Sequence, residues 1–304
     1  MALNSINTNG SALAALANLA STQTQLNKTQ NIISTGKTIN SAKDNGAVWS
    51  IAQTMQGKVT ALDSVKDSLN RAQSTIDVAM SAGQQVSDLL TQMKAKVLAA
   101  SDTSLDTTSR QALNADFKSL RDQITSVVNN ADFNGVNMVK SGGTTVYALA
   151  NDSGSMKMTV LAEDLSLGGA NVTLSATASF NSATSASSYI MTIDQDVTNV
   201  TLSATASFST AASASAFLGT LDANIQSVNL AMTHLGTGSN AMASQLKFVG
   251  SLQDSLNTGI SNLVDADMAE ESAKLQALQT RQQLAIQALM IANQSNSILL
   301  QLFK

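Results

Sequence analysis

The sequence contains neither cysteine nor proline, and charged and aromatic residues are scarce in it. Without cysteine the chain can form no disulfide and no thiolate metal site. Average usage would give a chain of 304 residues about fifteen prolines. Because proline interrupts a helix, its absence permits very long unbroken helices. The charged share of 12% is about half of the usual share, which argues against an ordinary globular domain.

Several classes of partner and chemistry are also excluded. A net charge of −4 without a cluster of Lys and Arg predicts no nucleic-acid surface. The N-terminus has no secretory signal pattern and no run of eighteen apolar residues occurs, so we expect neither a cleaved signal nor a membrane span. His234 is the only histidine and the glycines form no phosphate-binding loop, which predicts no enzyme, metal or cofactor site. The acidic run at 265–271 lacks the glycine of a calcium loop and is expected to begin a helix.

Large apolar residues recur every seven positions in two stretches that lie far apart in the chain. Such a repeat winds an apolar stripe along one face of a long helix, and the stripe must pack against another helix. The pattern predicts a mainly α fold: a long antiparallel helical hairpin or coiled-coil bundle formed by both termini. A second row of apolar residues lies between the positions of the first row. In the stretch nearer the C-terminus this second row contains Ile225, Met232, Leu246 and Ile260. The first-row positions expected to pack are Met55, Leu62, Leu69, Ile76, Leu90, Val97, Leu221, Val228, Leu235, Met242, Val249 and Leu256.

The middle of the chain has a different pattern. We expect helices at about 47–100, 106–129 and 211–263, the last of which is expected to loosen at the glycines of 236–239. Alternating apolar residues at 145–150 and 156–160 predict a small β-hairpin region. Residues 171–180 recur identically at 199–208, within a Ser/Thr/Ala-rich segment. Two copies do not form a solenoid, so we expect a small added knob.

The two ends carry more apolar surface than one helix pair can cover. A helix that is apolar on several sides must be buried on several sides. If identical chains cover these surfaces through contacts that do not close into a ring, they form an open helical filament. The residues predicted to form this self-assembly core are Leu13, Leu16, Leu19, Leu26, Ile33, Leu275, Leu278, Leu284, Leu289, Leu299 and Phe303.

Several motifs, in order, resemble those of bacterial flagellins, and the match looks closest to the short alphaproteobacterial, Caulobacter-type members. Thr38 stands where the family usually has a basic residue. The stretches that carry the resemblance are Met1–Asn9, Ser34–Asn45, Asp132–Val136, Asn262–Ala273 and Ala292–Lys304.

The resemblance implies a structural subunit that assembles into the helical flagellar filament used for swimming, with an extracellular location. It implies signal-free export through the flagellar type III apparatus. The implied partners are copies of the chain itself, sister flagellins, an export chaperone, the filament cap and hook-junction proteins, with no nucleic acid and no membrane. The family also implies O-glycosylation of outward hydroxyls, for which the candidates are Ser182, Thr184, Ser185, Ser207 and Ser209.

The domains expected on this basis follow the breaks in the sequence pattern. The terminal helices 1–33 and 266–304 would form the inner filament core. A connector at 34–46 would lead to a long-helix shell of 47–140 and 211–265. The hairpins and the duplicated segment at 141–210 would face outward.

Two other readings use the same features. A hook–filament junction protein shares the terminal helices, and a filament reconstruction with this chain at every lattice point would distinguish the two. A coiled-coil adhesin would need a signal peptide and a membrane anchor, and the sequence shows neither pattern.

Overall fold

A computed structural model of the chain describes residues 9–172 and 211–302, with side chains for all of these except 211–214, 216 and 295–302. The described part is mainly α-helical with one small antiparallel sheet, which confirms the predicted fold class. The elements in chain order are α1 (Gly10–Thr35), α2 (Gly46–Ala100), α3 (Thr107–Asn130), β1 (Val146–Leu149), β2 (Lys157–Val160), α4 (Ala211–Val264) and α5 (Met268–Leu302).

The chain divides into two compact units. The first consists of Met1–Thr60 and Gln253–Lys304, and we call it the terminal unit. The second is Ala61–Leu252, and we call it the central unit. Both boundaries fall inside the long helices α2 and α4 and not at the connector.

In the central unit, α2 and α4 pack along each other in antiparallel directions. Residues further along α2 contact residues earlier in α4, as antiparallel packing requires. Gln73 donates to the Ser239 hydroxyl at 2.7 Å, the Ser87 and Asn229 side chains lie 3.5 Å apart, and Lys94 pairs with the Asp222 carboxylate. The first-row positions buried along this contact are Leu62, Leu69, Ile76, Leu90, Val97, Leu221, Val228, Leu235, Met242 and Val249.

The second apolar row on α4 differs from the predicted one. Ile225, Met232 and Leu246 are only half-buried, and so is Ile260 in the terminal unit. The fully covered positions lie one residue earlier in the repeat, at Phe217, Asn224 and Ala231. A pattern search for large apolar residues misses this row, because one member is polar and another is small.

Helix α4 continues without a break through Gly236 and Gly238, so the predicted loosening there is wrong. Gly238 has a packing role instead. A Cβ at Gly238 would lie 2.6 Å from a methyl carbon of Val160, which is buried at the end of β2. Gly83, which fills a gap in the α2 repeat, similarly leaves room for the Met232 side chain, 3.0 Å from its ideal Cβ.

Helix α3 is joined to α2 by a short capped turn. The Asp106 carboxylate accepts the Ser109 amide at 2.6 Å, which caps the helix N-terminus. That backbone hydrogen bond is the main reason why the pKa of Asp106 lies below its usual value, and the Ser104 amide lowers the pKa of Asp102 in the same way. Further along α3, Phe117 meets Phe217 edge-to-face with ring centroids 5.7 Å apart, and both rings are buried.

The segment after α3 turns sharply and leads into the sheet. Phe133 and Val136 exchange two backbone hydrogen bonds of 3.0 Å across Asn134 and Gly135. Both intervening residues have positive φ, 53° and 81°. Asn-Gly is the sequence favoured for such a two-residue turn, because both residues tolerate the left-handed region.

The β1–β2 hairpin lies on both long helices. Its strands pair in antiparallel register from Val146–Val160 to Leu149–Lys157. The Leu149 amide donates to the Ser68 hydroxyl of α2 at 3.1 Å, and Gln245 of α4 donates to the Ala150 carbonyl at 2.8 Å. Most of the duplicated segment, from 173 to 210, lies outside the described residues, as do the five glycosylation candidates.

Gly238 and Gly250 offer a matched test of the packing at β2. We expect Gly238→Ala to lower the free energy of unfolding by about 1–3 kcal/mol, because its methyl group would overlap Val160. No atom lies within 4 Å of the corresponding point at Gly250, so Gly250→Ala should instead stabilise the helix by up to about 1 kcal/mol. Denaturant unfolding of the two variants measures the difference, and effects of the same sign would contradict this packing.

Candidate self-assembly surface

Helix α1 is defined at both ends by specific caps. The Asn9 side chain accepts the Ala12 amide at 3.0 Å and caps the helix that begins at Gly10, while residues 1–8 of the predicted terminal helix lie outside the described residues. At the other end Gly36 has φ 69°, and its amide donates to the Ile32 carbonyl at 2.8 Å. This left-handed glycine stops the helix after Thr35, two residues beyond the predicted end.

Helices α1 and α5 pack against each other in antiparallel directions. Asn9 donates to the Ala292 carbonyl at 2.8 Å, and Gln282 donates to the Gln23 side chain at 2.6 Å. Each helix turns one stripe toward the other, and the buried positions of these stripes are Leu26, Thr29, Ile32, Glu271 and Leu278. The two ends of the chain therefore form one helix pair.

The segments next to this pair are joined by backbone hydrogen bonds. The Thr38 amide donates to the Val264 carbonyl at 2.7 Å, and its hydroxyl donates to the same oxygen at 3.1 Å. The Ala266 amide donates to the Gly36 carbonyl at 3.0 Å. The Thr38 side chain thus adds a second hydrogen bond to the same carbonyl.

Capping carboxylates fix the turns around this junction. Asp267 accepts the Ala269 amide at 2.8 Å and starts α5, as expected for the acidic run. In the connector, Asp44 accepts the Ser41 hydroxyl and amide, both at 3.0 Å. The hydroxyl bond is the largest cause of the lowered pKa of Asp44, followed by the amide bonds. Because its pKa falls on folding, Asp44 supports the connector at neutral pH and loses that effect in acid.

The predicted self-assembly residues occupy three environments. Leu26 and Leu278 are buried between α1 and α5. Half-buried positions are Leu19, Ile33, Leu275 and Leu289. Exposed positions are Leu13, Leu16 and Leu284, with exposed fractions of 58%, 52% and 58%. The side chains of Leu299 and Phe303 lie outside the described part.

Further apolar side chains of α5 are exposed beside Leu284. Ile286, Met290 and Ile291 were not among the predicted core residues, although the all-round apolar pattern of this helix indicates them. Together with the exposed leucines they make up the set of exposed side chains that we call the terminal apolar face, with Leu284 and Ile291 on one side of α5 and Ile286 and Met290 on another: Leu13, Leu16, Leu284, Ile286, Met290 and Ile291. A two-helix contact buries only one stripe of each helix, so this face is left open to solvent.

The terminal helices are also nearly free of charge. Lys28 is the only charged residue in α1, and Arg281 is the only one between Lys274 and the end of α5. Their polar positions are instead Asn, Gln, Ser and Thr. Neutral polar groups can meet a second copy of the same surface without the repulsion that like charges produce.

Two other kinds of site, a metal-binding cluster and a membrane-spanning helix, were sought among the described residues. They contain no group of three or more His, Cys, Asp or Glu residues arranged to hold a metal ion. No helix in the described ranges combines the length and apolar character that crossing a bilayer requires. His234 contacts Glu163 through its Nδ1 at 3.0 Å, on the surface of the central unit.

Comparison with known proteins identifies the family. The N-terminal helical region of bacterial flagellin matches residues 6–144, and its C-terminal helical region matches residues 218–303. The flagellin FljM of Caulobacter vibrioides is 50% identical over 304 residues, covering 100% of both chains. The chain belongs to the flagellin family. FljO of the same species is 49% identical, also over the whole of both chains, and a flagellin of Brucella melitensis is 37% identical over 99% of each.

Membership of the flagellin family shows that this chain polymerises with its own copies. Flagellins are structural proteins that polymerise with their own copies into the flagellar filament, outside the cell, and serve swimming motility. This flagellin is therefore a filament subunit of the short alphaproteobacterial type. Nothing in these comparisons favours the alternative of a hook–filament junction protein.

The Thr38 hydroxyl provides a test of the junction in this flagellin. We expect Thr38→Val to weaken it by about 1 kcal/mol, because the hydroxyl donates to the Val264 carbonyl. The Ala266 amide should then exchange with solvent roughly fivefold faster. Thr54→Val is the matched control, because it removes only a bond to Ser50 within an exposed helix turn. Equal exchange in both variants would contradict a stabilising role for Thr38.

Proposed function

We propose that the terminal helix pair forms the inner core of the filament and that the long helices form the shell around it. The observation that carries this proposal is the terminal apolar face, which is exposed on α1 and α5 while the central unit covers its own heptad stripes. On this basis 1–33 and 266–304 are core, 34–46 is the connector, 47–140 and 211–265 are shell, and 141–210 is outermost.

Hydrophobic burial would supply the driving force for polymerisation. Full burial of one Leu, Ile or Met side chain is worth roughly 1.5–3 kcal/mol. Partial burial of the six residues of the terminal apolar face at each subunit contact would thus give several kcal/mol per subunit. The side chains of Leu19, Ile33, Leu275 and Leu289 are only half-buried in the single subunit, and a neighbouring copy would complete their cover.

Every copy of the chain carries the same terminal apolar face, and this limits how the subunits can contact one another. Contacts between different patches of identical chains produce a ring if the rotation closes and a helical filament if it does not. A nearly uncharged α1–α5 pair suits dense packing around a filament axis, because few charges would need partners there. The outermost segment, rich in Ser and Thr, would lie where water and O-glycosylation at Ser182, Thr184, Ser185, Ser207 and Ser209 are accommodated.

The partners beyond the chain itself follow from the family. An export chaperone, the filament cap and hook-junction proteins are proposed on family grounds. Sister flagellins are proposed as further partners, since the matches of 48–50% identity include several flagellins from the single species Caulobacter vibrioides. Chains so similar over their full length would present comparable surfaces to one another.

Leu284→Asp tests the terminal apolar face directly. Leu284 is 58% exposed in the single subunit, so the change should leave its fold intact. In the filament the new carboxylate would have to be desolvated against apolar neighbours, which costs several kcal/mol. We expect polymerisation, followed by sedimentation and electron microscopy, to be lost while the helical circular dichroism is retained.

The control for this experiment is Ser153→Asp, which adds the same charge at an exposed position of the central unit. This variant should still form filaments. Normal filaments from Leu284→Asp would refute the assignment of this face to the filament core.

A further inference from the structure

Met290 differs from most methionines of this chain in its exposure. Its side chain is 60% exposed on α5, within the terminal apolar face. Heptad methionines such as Met93 and Met242 are fully buried in the central unit. The other strongly exposed methionines of the described residues are Met156 and Met268, and neither belongs to the terminal apolar face.

The neighbours of Met290 on α5 carry no charge: besides apolar side chains they are the neutral amides Gln287, Asn293 and Gln294. Ile286 lies one helical turn before it on the same side of α5, 40% exposed, and Ile291 follows it. The nearest charged residue along the helix is Arg281, more than two turns away. A polar group at the Met290 sulfur would therefore have no charged residue of its own helix beside it.

Thioether sulfur reacts with peroxides. A sulfur lone pair attacks one oxygen of hydrogen peroxide, the O–O bond breaks, and the leaving hydroxide takes up a proton as water. The sulfur is oxidised to the sulfoxide and the peroxide is reduced. The product is a polar, hydrogen-bonding group in place of a flexible apolar one, which disrupts methionine-containing interfaces.

We propose that Met290 is an oxidation site that controls polymerisation: peroxide oxidises it in the free subunit, and the sulfoxide prevents that subunit from joining the filament. This inference rests on the proposed role of the terminal apolar face. Once the subunit is incorporated, neighbouring copies cover Met290 and the sulfur is protected. The same oxidant therefore blocks subunits before assembly and spares assembled filaments at this position.

The first experiment compares oxidation before and after assembly. The full chain, either monomeric or polymerised, is treated with limiting hydrogen peroxide, and sulfoxide at each methionine is quantified by peptide mass spectrometry. We expect Met290 to be oxidised in the monomer at a rate similar to Met156, and several-fold more slowly in the filament. Equal oxidation of Met290 in both states, or its resistance in the monomer, would overturn the proposal.

The second experiment links the modification to assembly. Met290→Leu keeps the apolar volume but cannot be oxidised, so oxidised Met290→Leu subunits should polymerise as well as untreated ones. Met156→Leu is the matched control, and its oxidised subunits should lose polymerisation as the native chain does. Loss of assembly in oxidised Met290→Leu, or normal assembly of native chain carrying Met290 sulfoxide, would refute the inference.

The Leu284→Asp variant separates this inference from the proposed function. If Leu284→Asp fails to polymerise but Met290 sulfoxide is tolerated, the terminal apolar face remains the core surface and only the oxidation site is wrong. If Leu284→Asp polymerises normally, the proposed core assignment itself is wrong.

Discussion

The pairing of the two chain ends is the constraint on which this molecule depends. Helices α1 and α5 meet through one stripe each, with Leu26 and Leu278 buried between them. Two helices have no further surface to offer each other, so the remaining leucines, isoleucines and Met290 stay uncovered. The structure thus leaves apolar side chains of both terminal helices exposed, and the family to which the chain belongs polymerises with its own copies.

The heptad stripes of the central unit, by contrast, are covered within the chain itself, although its surface also exposes Leu98, Leu161 and Phe248. The heptad stripes of α2 and α4 are buried against each other, Phe117 of α3 packs on Phe217, and the hairpin adds Val146 and Val160. Glycines at 83 and 238 shape this packing by leaving room for a methionine and a valine. The stripes of the long helices thus need no second copy of the chain to cover them.

The periodic features were predictable from sequence and the non-periodic ones were not. A seven-residue repeat specifies one face of a helix, so the stripe from Leu62 to Val97 could be identified from spacing alone. The second row on α4 could not, because Asn224 and Ala231 are covered by tertiary neighbours and not by virtue of size or hydrophobicity. Likewise, Gly238 resembles a helix breaker until the position of Val160 is known. The excess of apolar residues on α5 was readable because it exceeds what one partner helix can bury.

The hydrogen bond between Asn9 and Ala292 spans 283 positions of the chain. Helix α1 cannot find its partner helix until the last segment of the chain is also free to fold. Contacts between such distant segments form slowly, because a long loop must close first. Pairing of α1 with α5 is therefore expected to complete the terminal unit late in folding.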